Sequence, residues 1–536
     1  MYRIIFLPLV SGFCVALGQP AFFPVLGLLA SAIGFSLFWR ALDSISENKI
    51  FRASFGWFFL VQLVQLSWLV SLEYQGTYIL ILYVGLSAGM ALQFAFLTKK
   101  LWKTPCLDGV ALLALTGLWT LFEWMRLYVF CGFAFNFVGV LLSGSIFSLQ
   151  LASLFGVLGM SFWVILTNLL GLKVLRVFSL NNLLKWLIVA AVPYLYGSLH
   201  IVYHDSIAVK KNEYAVLLVQ PSLTPSKKDL LKGRAGEFIP PLKQWERMVE
   251  WISAEKHQLL DLLAFPEAVV PFGLNQYIYR KEEVNSIFLR HFGEEVERCF
   301  PIGKEPFSLF GKVSNAYVLQ TIANFFNTTV LAGLDYEEGD GFFYNSMFCF
   351  QPAGEFPLRY DKRVLLPLAE YMPFSFLSSL SQYYGITDFF SKGSQAVVFP
   401  GAVAVGPSIC YEELFSSLMR ESKKKGADLF VNISNDGWYP FSRLSEQHFT
   451  QGLIRSVENG IPLVRACNIG ITGAVDCFGR VVALLQDREE GCLFVKVPSA
   501  QYKTGFSFWG EAPLVAFSCL FVLIGCFKFF PRNSFF

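Results

Sequence analysis

Charge is scarce in this chain. Lys and Arg together number 43 and Asp and Glu 40 in 536 residues, 15% of the whole, while 54% is hydrophobic and 17% aromatic. So small a charged fraction over this length excludes an ordinary soluble enzyme and calls for extensive embedding in a lipid bilayer. The net charge is only +3 and no dense basic patch is interleaved with aromatics, which argues against nucleic acid as a partner. Histidine is rarer still: His200, His204, His257, His291 and His448 are dispersed, so no histidine cluster or triad is signalled. The eleven cysteines include no C-x-x-C pair and no histidine partner at zinc spacing, and Cys14, Cys131, Cys519 and Cys526 sit in apolar runs. Neither a disulfide framework nor a metal site is indicated. Internal repeats and low-complexity tracts are also missing.

What the chain has in quantity is long apolar stretches, near 4–17, 21–39, 53–72, 77–97, 108–130, 150–172, 183–202 and 511–530. Each is long enough, or nearly so, to cross a hydrocarbon core of about 30 Å at about 1.5 Å per residue. Seven spans precede the polar part and an eighth closes the chain. Basic residues occupy every second connection: Arg3, then Arg40, Lys49 and Arg52, then Lys99, Lys100 and Lys103, then Lys173, Arg176 and Lys185, and finally Lys528 and Arg532. That alternation places the N-terminus in the cytoplasm and the segment after the seventh span on the opposite side. The first stretch ends Val15-Ala-Leu-Gly-Gln-Pro20, like a signal-peptide apolar region with small residues after it. The next apolar run follows almost at once, which favours a tight hairpin of two retained spans. Glu123 and Arg126 fall in or at the end of a span, where charge is costly, and are expected to pair.

Between about 205 and 508 charges become frequent, and short β-rich runs alternate with helix-like stretches. Strands are expected at Tyr214–Val219, Leu262–Phe265, Thr329–Gly333, Phe343–Phe350, Ala402–Cys410, Leu429–Ile433, Leu463–Asn468 and Cys492–Val497. Trp245, Met248, Val249, Ile252, Leu259 and Leu260 recur at helical spacing and predict a helix over Leu242–Leu263. A second helix is expected from Tyr411 to about Lys424, ended by basic residues and Gly426. This alternation implies an α/β sandwich. The expected organisation is a membrane domain with seven transmembrane helices over 1–204, a catalytic domain over 205–508, and a C-terminal transmembrane helix with a short tail over 509–536.

One residue of the polar part stands out for its chemistry. Cys410, in Gly406-Pro-Ser-Ile-Cys-Tyr-Glu-Glu-Leu-Phe415, lies where a β-favouring run gives way to the expected helix. A thiol there faces free N–H groups and the positive end of the helix dipole, which predicts a thiolate-favouring environment and a nucleophile. Phe265-Pro-Glu-Ala268 puts the Glu267 carboxylate just past an apolar strand, a common position for site residues of α/β folds. Tyr360-Asp-Lys-Arg-Val-Leu-Leu-Pro-Leu-Ala-Glu-Tyr-Met-Pro373 is more specific. It sets Lys362, Glu370 eight residues on, and two prolines at defined positions.

Together these motifs resemble the Glu-Lys-Cys site of the nitrilase, or carbon–nitrogen hydrolase, superfamily, whose fold is an α-β-β-α sandwich. With eight spans the resemblance narrows to the apolipoprotein N-acyltransferase family. Glu123-Trp-Met-Arg126, Gly132-Phe-Ala-Phe-Asn136, Asn432-Ile-Ser-Asn-Asp-Gly-Trp438, Gln447-His448 and Arg465-Ala-Cys-Asn-Ile-Gly-Ile-Thr472 also fit it. The sequence departs from the family pattern at Ala369, commonly glycine, and over Gln220-Pro-Ser-Leu-Thr-Pro-Ser226.

The resemblance implies that Glu267 is the general base, Lys362 the oxyanion partner and Cys410 the nucleophile, with Glu370, Glu412, Tyr411 and Asn345 in support. It implies no cofactor and no metal. An acyl chain would pass from a membrane phospholipid, through a Cys410 thioester, to the α-amine of the N-terminal diacylglyceryl-cysteine of an apolipoprotein. The protein would be a multi-pass enzyme of the bacterial inner membrane whose catalytic domain faces the periplasm. Two other readings are a membrane-tethered amidase acting on a small amide and a non-enzymatic membrane scaffold with a degenerate hydrolase domain. A soluble amide would not require eight spans, and all three catalytic residue types are present.

Overall fold

The structure is a computed structural model and describes residues 2–129, 132–207, 212–231, 233–302, 306–372 and 389–529. Cys131, Pro373 and Arg532, named above, lie outside the described residues. The chain forms two units: Met1–Val209, Phe441–Gly460 and Tyr502–Phe536 in one, Lys210–Pro440 and Ile461–Gln501 in the other.

In the first unit a helix occupies each of the eight apolar stretches: Tyr2–Leu17, Pro24–Leu42, Glu47–Gln65, Ile79–Lys103, Gly109–Arg126, Ala152–Arg176, Leu180–Ile207 and Ala512–Phe529. Pro24–Leu42, Ile79–Lys103, Ala152–Arg176 and Leu180–Ile207 are long and apolar enough to cross a bilayer by themselves; Ile5–Leu17 and Ala512–Lys528 are shorter apolar helices. The first two helices form a close hairpin. A Cβ on Gly27 would lie 2.2 Å from the Gly18 carbonyl oxygen, so only glycine permits the approach. Glu123 and Arg126 pair at 3.7 Å, and the fully buried Glu123 carboxylate also accepts the Val138 N–H at 2.8 Å.

The same unit holds the helix Leu444–Asn459, which belongs by sequence to the polar part. Gln447 Nε2 donates to the Gln65 carbonyl at 2.9 Å, and the His448 ring lies 6.4 Å from Phe135. Glu458 Oε1 accepts the Val157 N–H at 2.8 Å beside a kink at Gly156, where φ is +68°. The stretch 205–508 expected as one domain is therefore interrupted. Helical periodicity gives the width of a buried face but not the identity of the surface that covers it.

Among the described residues the second unit holds fourteen strands: β1 (Glu213–Gln220), β2 (Leu262–Ala264), β3 (Tyr279–Arg280), β4 (Ser308–Leu309), β5 (Lys312–Val313), β6 (Thr329–Glu338), β7 (Phe342–Phe350), β8 (Leu358–Asp361), β9 (Val405–Ile409), β10 (Leu429–Ser434), β11 (Leu463–Cys467), β12 (Thr472–Val475), β13 (Val481–Leu485) and β14 (Gly491–Pro498). They form a six-stranded sheet ordered β14-β1-β2-β6-β7-β8, a five-stranded sheet ordered β13-β12-β11-β10-β9 and a small β3-β5-β4 sheet. Strands β1, β2 and β6 run parallel, with β14 and β7 antiparallel on either side; β9, β10 and β11 also run parallel, with β9 at the edge and β12 antiparallel beside β11.

Period-two alternation distributes β1, β2 and β6 between two cores. Val216 and Leu218 of β1 face the second sheet, meeting Val405, Ile409, Val431 and Ile433, whereas Leu217 and Val219 face a helical layer. That layer comprises the helices Pro241–Ala254, Lys281–Phe292 and Asn315–Phe326, through Trp245, Met248, Phe288 and Ile322 among others. Burial on both faces explains why these strands read as uninterrupted apolar runs.

The local expectations differ from the structure in several places: the short strands β3, β4 and β5 are not among those expected, and the strand expected over Ala402–Cys410 begins only at Val405. The helix expected over Leu242–Leu263 ends at Ala254, because Leu262 and Leu263 enter β2. Strands β8 (Leu-Arg-Tyr-Asp) and β12 (Thr-Gly-Ala-Val) do not read as apolar runs, and pairing with β7 and β11 makes them strands; the short apolar β13, also not expected, pairs with β12. No α-helix starts at Tyr411. Cys410–Leu414 is a 3₁₀ turn, and the helix Ser416–Lys424 begins only after it.

Candidate active site

Glu267, Lys362 and Cys410 lie at strand ends: Glu267 shortly after β2, Lys362 directly after β8 and Cys410 directly after β9. The parallel strands β2 and β9 present their carboxyl ends, where an open α/β sheet leaves backbone groups and loops free to form a site. Cys410 is held at φ +50°, a left-handed conformation that is strained for a residue with a side chain by about 1–3 kcal/mol. Its carbonyl accepts a hydrogen bond from Asn432 Nδ2 at 3.3 Å, and the same amide donates to Ser408 Oγ at 3.0 Å. The turn is thus fastened from β10.

The Lys362 ammonium, 2% exposed, lies between two carboxylates, 3.2 Å from Glu267 Oε1 and 2.7 Å from Glu370 Oε1. Asn345, on β7, donates Nδ2 to the same two oxygens, at 2.8 Å and 3.1 Å. Glu370 Oε2 accepts the Leu366 N–H at 2.7 Å. Burial works against the Lys362 charge, but Glu267 and Glu370 more than offset it and hold the ammonium well above the ordinary lysine range. Lysine therefore stays protonated while the two carboxylates stay fixed.

The expectation of a thiolate-favouring helix end at Cys410 is corrected. With no helix starting there, burial pushes the thiol well up, the Glu267 carboxylate pushes it further in the same direction, and Lys362 offsets only part. The Ser434 hydroxyl bonds to the thiol and Asp436 contributes a further negative field. Cys410, partly buried, rests as a thiol beside a carboxylate able to take its proton.

The other expected supporting residues have different surroundings. Glu412 is fully buried, and its oxygens accept Arg363 N–H at 2.5 Å, Val364 N–H at 3.1 Å, Ile409 N–H at 2.8 Å and the Tyr360 hydroxyl at 2.9 Å. It ties the chain around Lys362 to the chain entering Cys410. Tyr411 is 5% exposed and packs edge-on to Phe415 at 5.2 Å. Asn345 and Glu370 join Glu267 and Lys362 directly, whereas Glu412 and Tyr411 support the two loops from behind.

Further residues whose contacts carry no signal in the sequence shape the site. Arg465, fully buried, pairs with Glu413 at 2.9 Å and with Asp436 at 3.2 Å, fixing the turn after β9 to β10 and β11. Its motif is visible in sequence, but its partners are not. Lys228, 1% exposed, donates to the Glu267 main-chain carbonyl at 3.2 Å. Gly333 on β6 touches the bend that carries Glu267: a Cβ there would lie 2.7 Å from Glu267 Cα. A lone lysine and a lone glycine carry no sequence signal for such contacts.

An α-β-β layered unit with a cysteine, a lysine and two carboxylates gathered at its strand ends, on a chain with a helical membrane domain, defines a membrane protein bearing a carbon–nitrogen hydrolase unit. The carbon–nitrogen hydrolase family matches residues 237–504, and the apolipoprotein N-acyltransferase N-terminal domain matches residues 11–170. An apolipoprotein N-acyltransferase of Chlamydia caviae is 32% identical over 98% of each chain, and one of Chlamydia pneumoniae is 30% identical over 98% of this chain and 97% of its own. Among solved structures, a carbon–nitrogen hydrolase from Helicobacter pylori is 16% identical with a TM-score of 0.37, covering 56% of this chain and 94% of that one. The chain belongs to the apolipoprotein N-acyltransferase family.

Proposed function

We propose that this protein transfers an acyl chain from a membrane phospholipid to the α-amine of the N-terminal diacylglyceryl-cysteine of apolipoproteins, by way of a thioester on Cys410. The observation that carries the residue assignment is the Lys362 ammonium held between Glu267 and Glu370 next to a strained cysteine turn.

The steps follow from the charges. Glu267 takes the Cys410 proton as sulfur attacks the donor ester carbonyl, so no free thiolate need accumulate. Lys362 remains an ammonium and balances negative charge as it moves from sulfur to the carbonyl oxygen. Collapse of the tetrahedral intermediate breaks the ester C–O bond, and the lysophospholipid oxygen leaves with the proton from Glu267. In the second half the amine attacks the thioester, its proton passes to Glu267, and the C–S bond breaks as sulfur recovers that proton. Glu370 and Asn345 keep Glu267 and Lys362 in register through both halves.

Both substrates are lipid-anchored, which explains a hydrolase unit joined to many spans: confinement to a bilayer raises their effective concentration. The alternation of basic connections supports an inner-membrane protein with the catalytic unit on the periplasmic side.

Intact-protein mass spectrometry after incubation with phosphatidylethanolamine tests the reading. Wild type gains the mass of one acyl chain, Cys410→Ala gains none, and a diacylated lipopeptide discharges the adduct as an N-acylated product. An adduct that persists in Cys410→Ala, or one discharged only by water, would overturn it.

A further inference from the structure

We propose that the cavity beside Glu267 and Glu370 is a subsite for a primary ammonium group, with the Asp335 carboxylate as its counter-ion. The proposal rests on the acyl-transfer reading and assigns the chemistry by which a substrate amine is held there.

The cavity has a volume of about 210 Å³; Phe272, Phe343, Phe389 and Phe390 wall it, and Asp335 and Glu337 are the ionisable side chains on its lining. It adjoins the reactive centre. Asp335 on β6 is the direct register partner of Asn345 on β7, so the two side chains share a face of the sheet, and Asn345 donates to Glu267 and Glu370. On the other wall the Phe390 N–H bonds the Glu370 carbonyl at 2.9 Å.

Negative charge exceeds positive charge here. Lys362 is already engaged by Glu267 and Glu370, and Lys228 donates to the Glu267 main-chain carbonyl. The Asp335 carboxylate accepts no side-chain hydrogen bond from the described residues. Burial pushes it up to about 6; the Lys228 ammonium pulls the other way, and Asp229, Glu267 and Glu370 push it further up. A cation entering the cavity gives this carboxylate a direct partner, and the four phenylalanine side chains that line the same space are of the type that attracts an ammonium. A phosphate or carboxylate would instead meet Asp335 and Glu337. Two substrate groups carry the required chemistry: the α-ammonium of the acceptor and the ammonium of an ethanolamine headgroup on the donor.

The test compares wild type, Asp335→Asn and Asp335→Glu in two half-reactions. Thioester formation is followed from phosphatidylethanolamine and from phosphatidylglycerol, and discharge is followed with a diacylated lipopeptide. Loss of one charged hydrogen bond predicts that Asp335→Asn raises the acceptor KM by about tenfold more than it alters thioester formation from phosphatidylglycerol, with partial rescue by Asp335→Glu. In wild type the acceptor KM rises as pH falls through about 6, when Asp335 takes up a proton, and in Asp335→Asn that dependence is lost. A defect confined to thioester formation from phosphatidylethanolamine supports the same ammonium subsite with the donor headgroup in it. Equal effects on every arm, or none, overturn the subsite. Failure of wild type to form any thioester overturns the acyl-transfer reading itself, a result distinguishable from failure of the subsite alone.

Discussion

At the scale of single residues, the pairing of Cys410 with Glu267 has opposite consequences for two reactions of the same thiol. The Glu267 charge raises the thiol and the Lys362 charge lowers it. Glu267→Gln should therefore increase the thiolate fraction at a given pH and accelerate alkylation of Cys410 by iodoacetamide, while slowing thioester formation by about 10²–10⁴-fold through loss of the proton acceptor. Lys362→Met should slow both. Rates measured between pH 7 and 10 check the signs, and equal slowing of alkylation and acylation by Glu267→Gln would contradict the assignment. Glu412 offers a contrast, because its oxygens hold chain atoms and the Tyr360 hydroxyl. Glu412→Gln replaces an acceptor with a donor facing those N–H groups and should cost about 1–3 kcal/mol of stability, seen as a lower melting temperature in detergent. Its loss of thioester formation should be relieved by cooling, whereas that of Glu267→Gln should not.

At the scale of elements, the position of the Glu267 carboxylate depends on how closely β6 approaches the bend after β2. Gly333 leaves the room: a Cβ there would also lie 2.8 Å from Ala268 N and 2.8 Å from Ile433 Cδ1. Main-chain atoms cannot swing aside as a flexible side chain would, so Gly333→Ala should move the Glu267 bend. A stability loss of about 1–3 kcal/mol is expected, with thioester formation reduced at least about tenfold. Unchanged thioester formation would show that the bend relaxes without displacing the carboxylate. The correction at Cys410 belongs to this scale too. Tyr411–Lys424 has composition suited to a helix, yet Cys410–Leu414 closes as a 3₁₀ turn. The Glu412 carboxylate bonds back to Ile409 N–H and across to the Lys362 loop, and these tertiary bonds override local propensity.

At the scale of the whole molecule, the interrupted path of the chain matters most. The helix Leu444–Asn459 lies within the hydrolase part of the sequence but packs in the membrane unit, with Arg455 and Glu458 fully buried as a pair at 3.2 Å. A fragment over 205–508 would uncover that pair and the apolar face formed by Phe449, Ile454 and Val457. Expressed without residues 1–204, it should aggregate or require detergent, and size-exclusion chromatography would show this; a monodisperse fragment in plain buffer would contradict it.

Much of the site was legible in the sequence because its parts sit in short, information-rich runs: Cys410 with Tyr411-Glu412, and Lys362 eight residues before Glu370. The apolar runs were equally legible, both as eight helical stretches and as strands buried on two faces, because continuous hydrophobicity follows directly from surroundings without water. What only the tertiary structure decided was which groups face one another. Asp335 came to line an aromatic cavity, Lys228 became a donor to the main chain of Glu267, and the Cys410 thiol a group raised rather than lowered. Each depends on charge and burial supplied by residues tens to hundreds of positions away, and the strength of an electrostatic interaction follows distance in space and local desolvation, which no local pattern encodes.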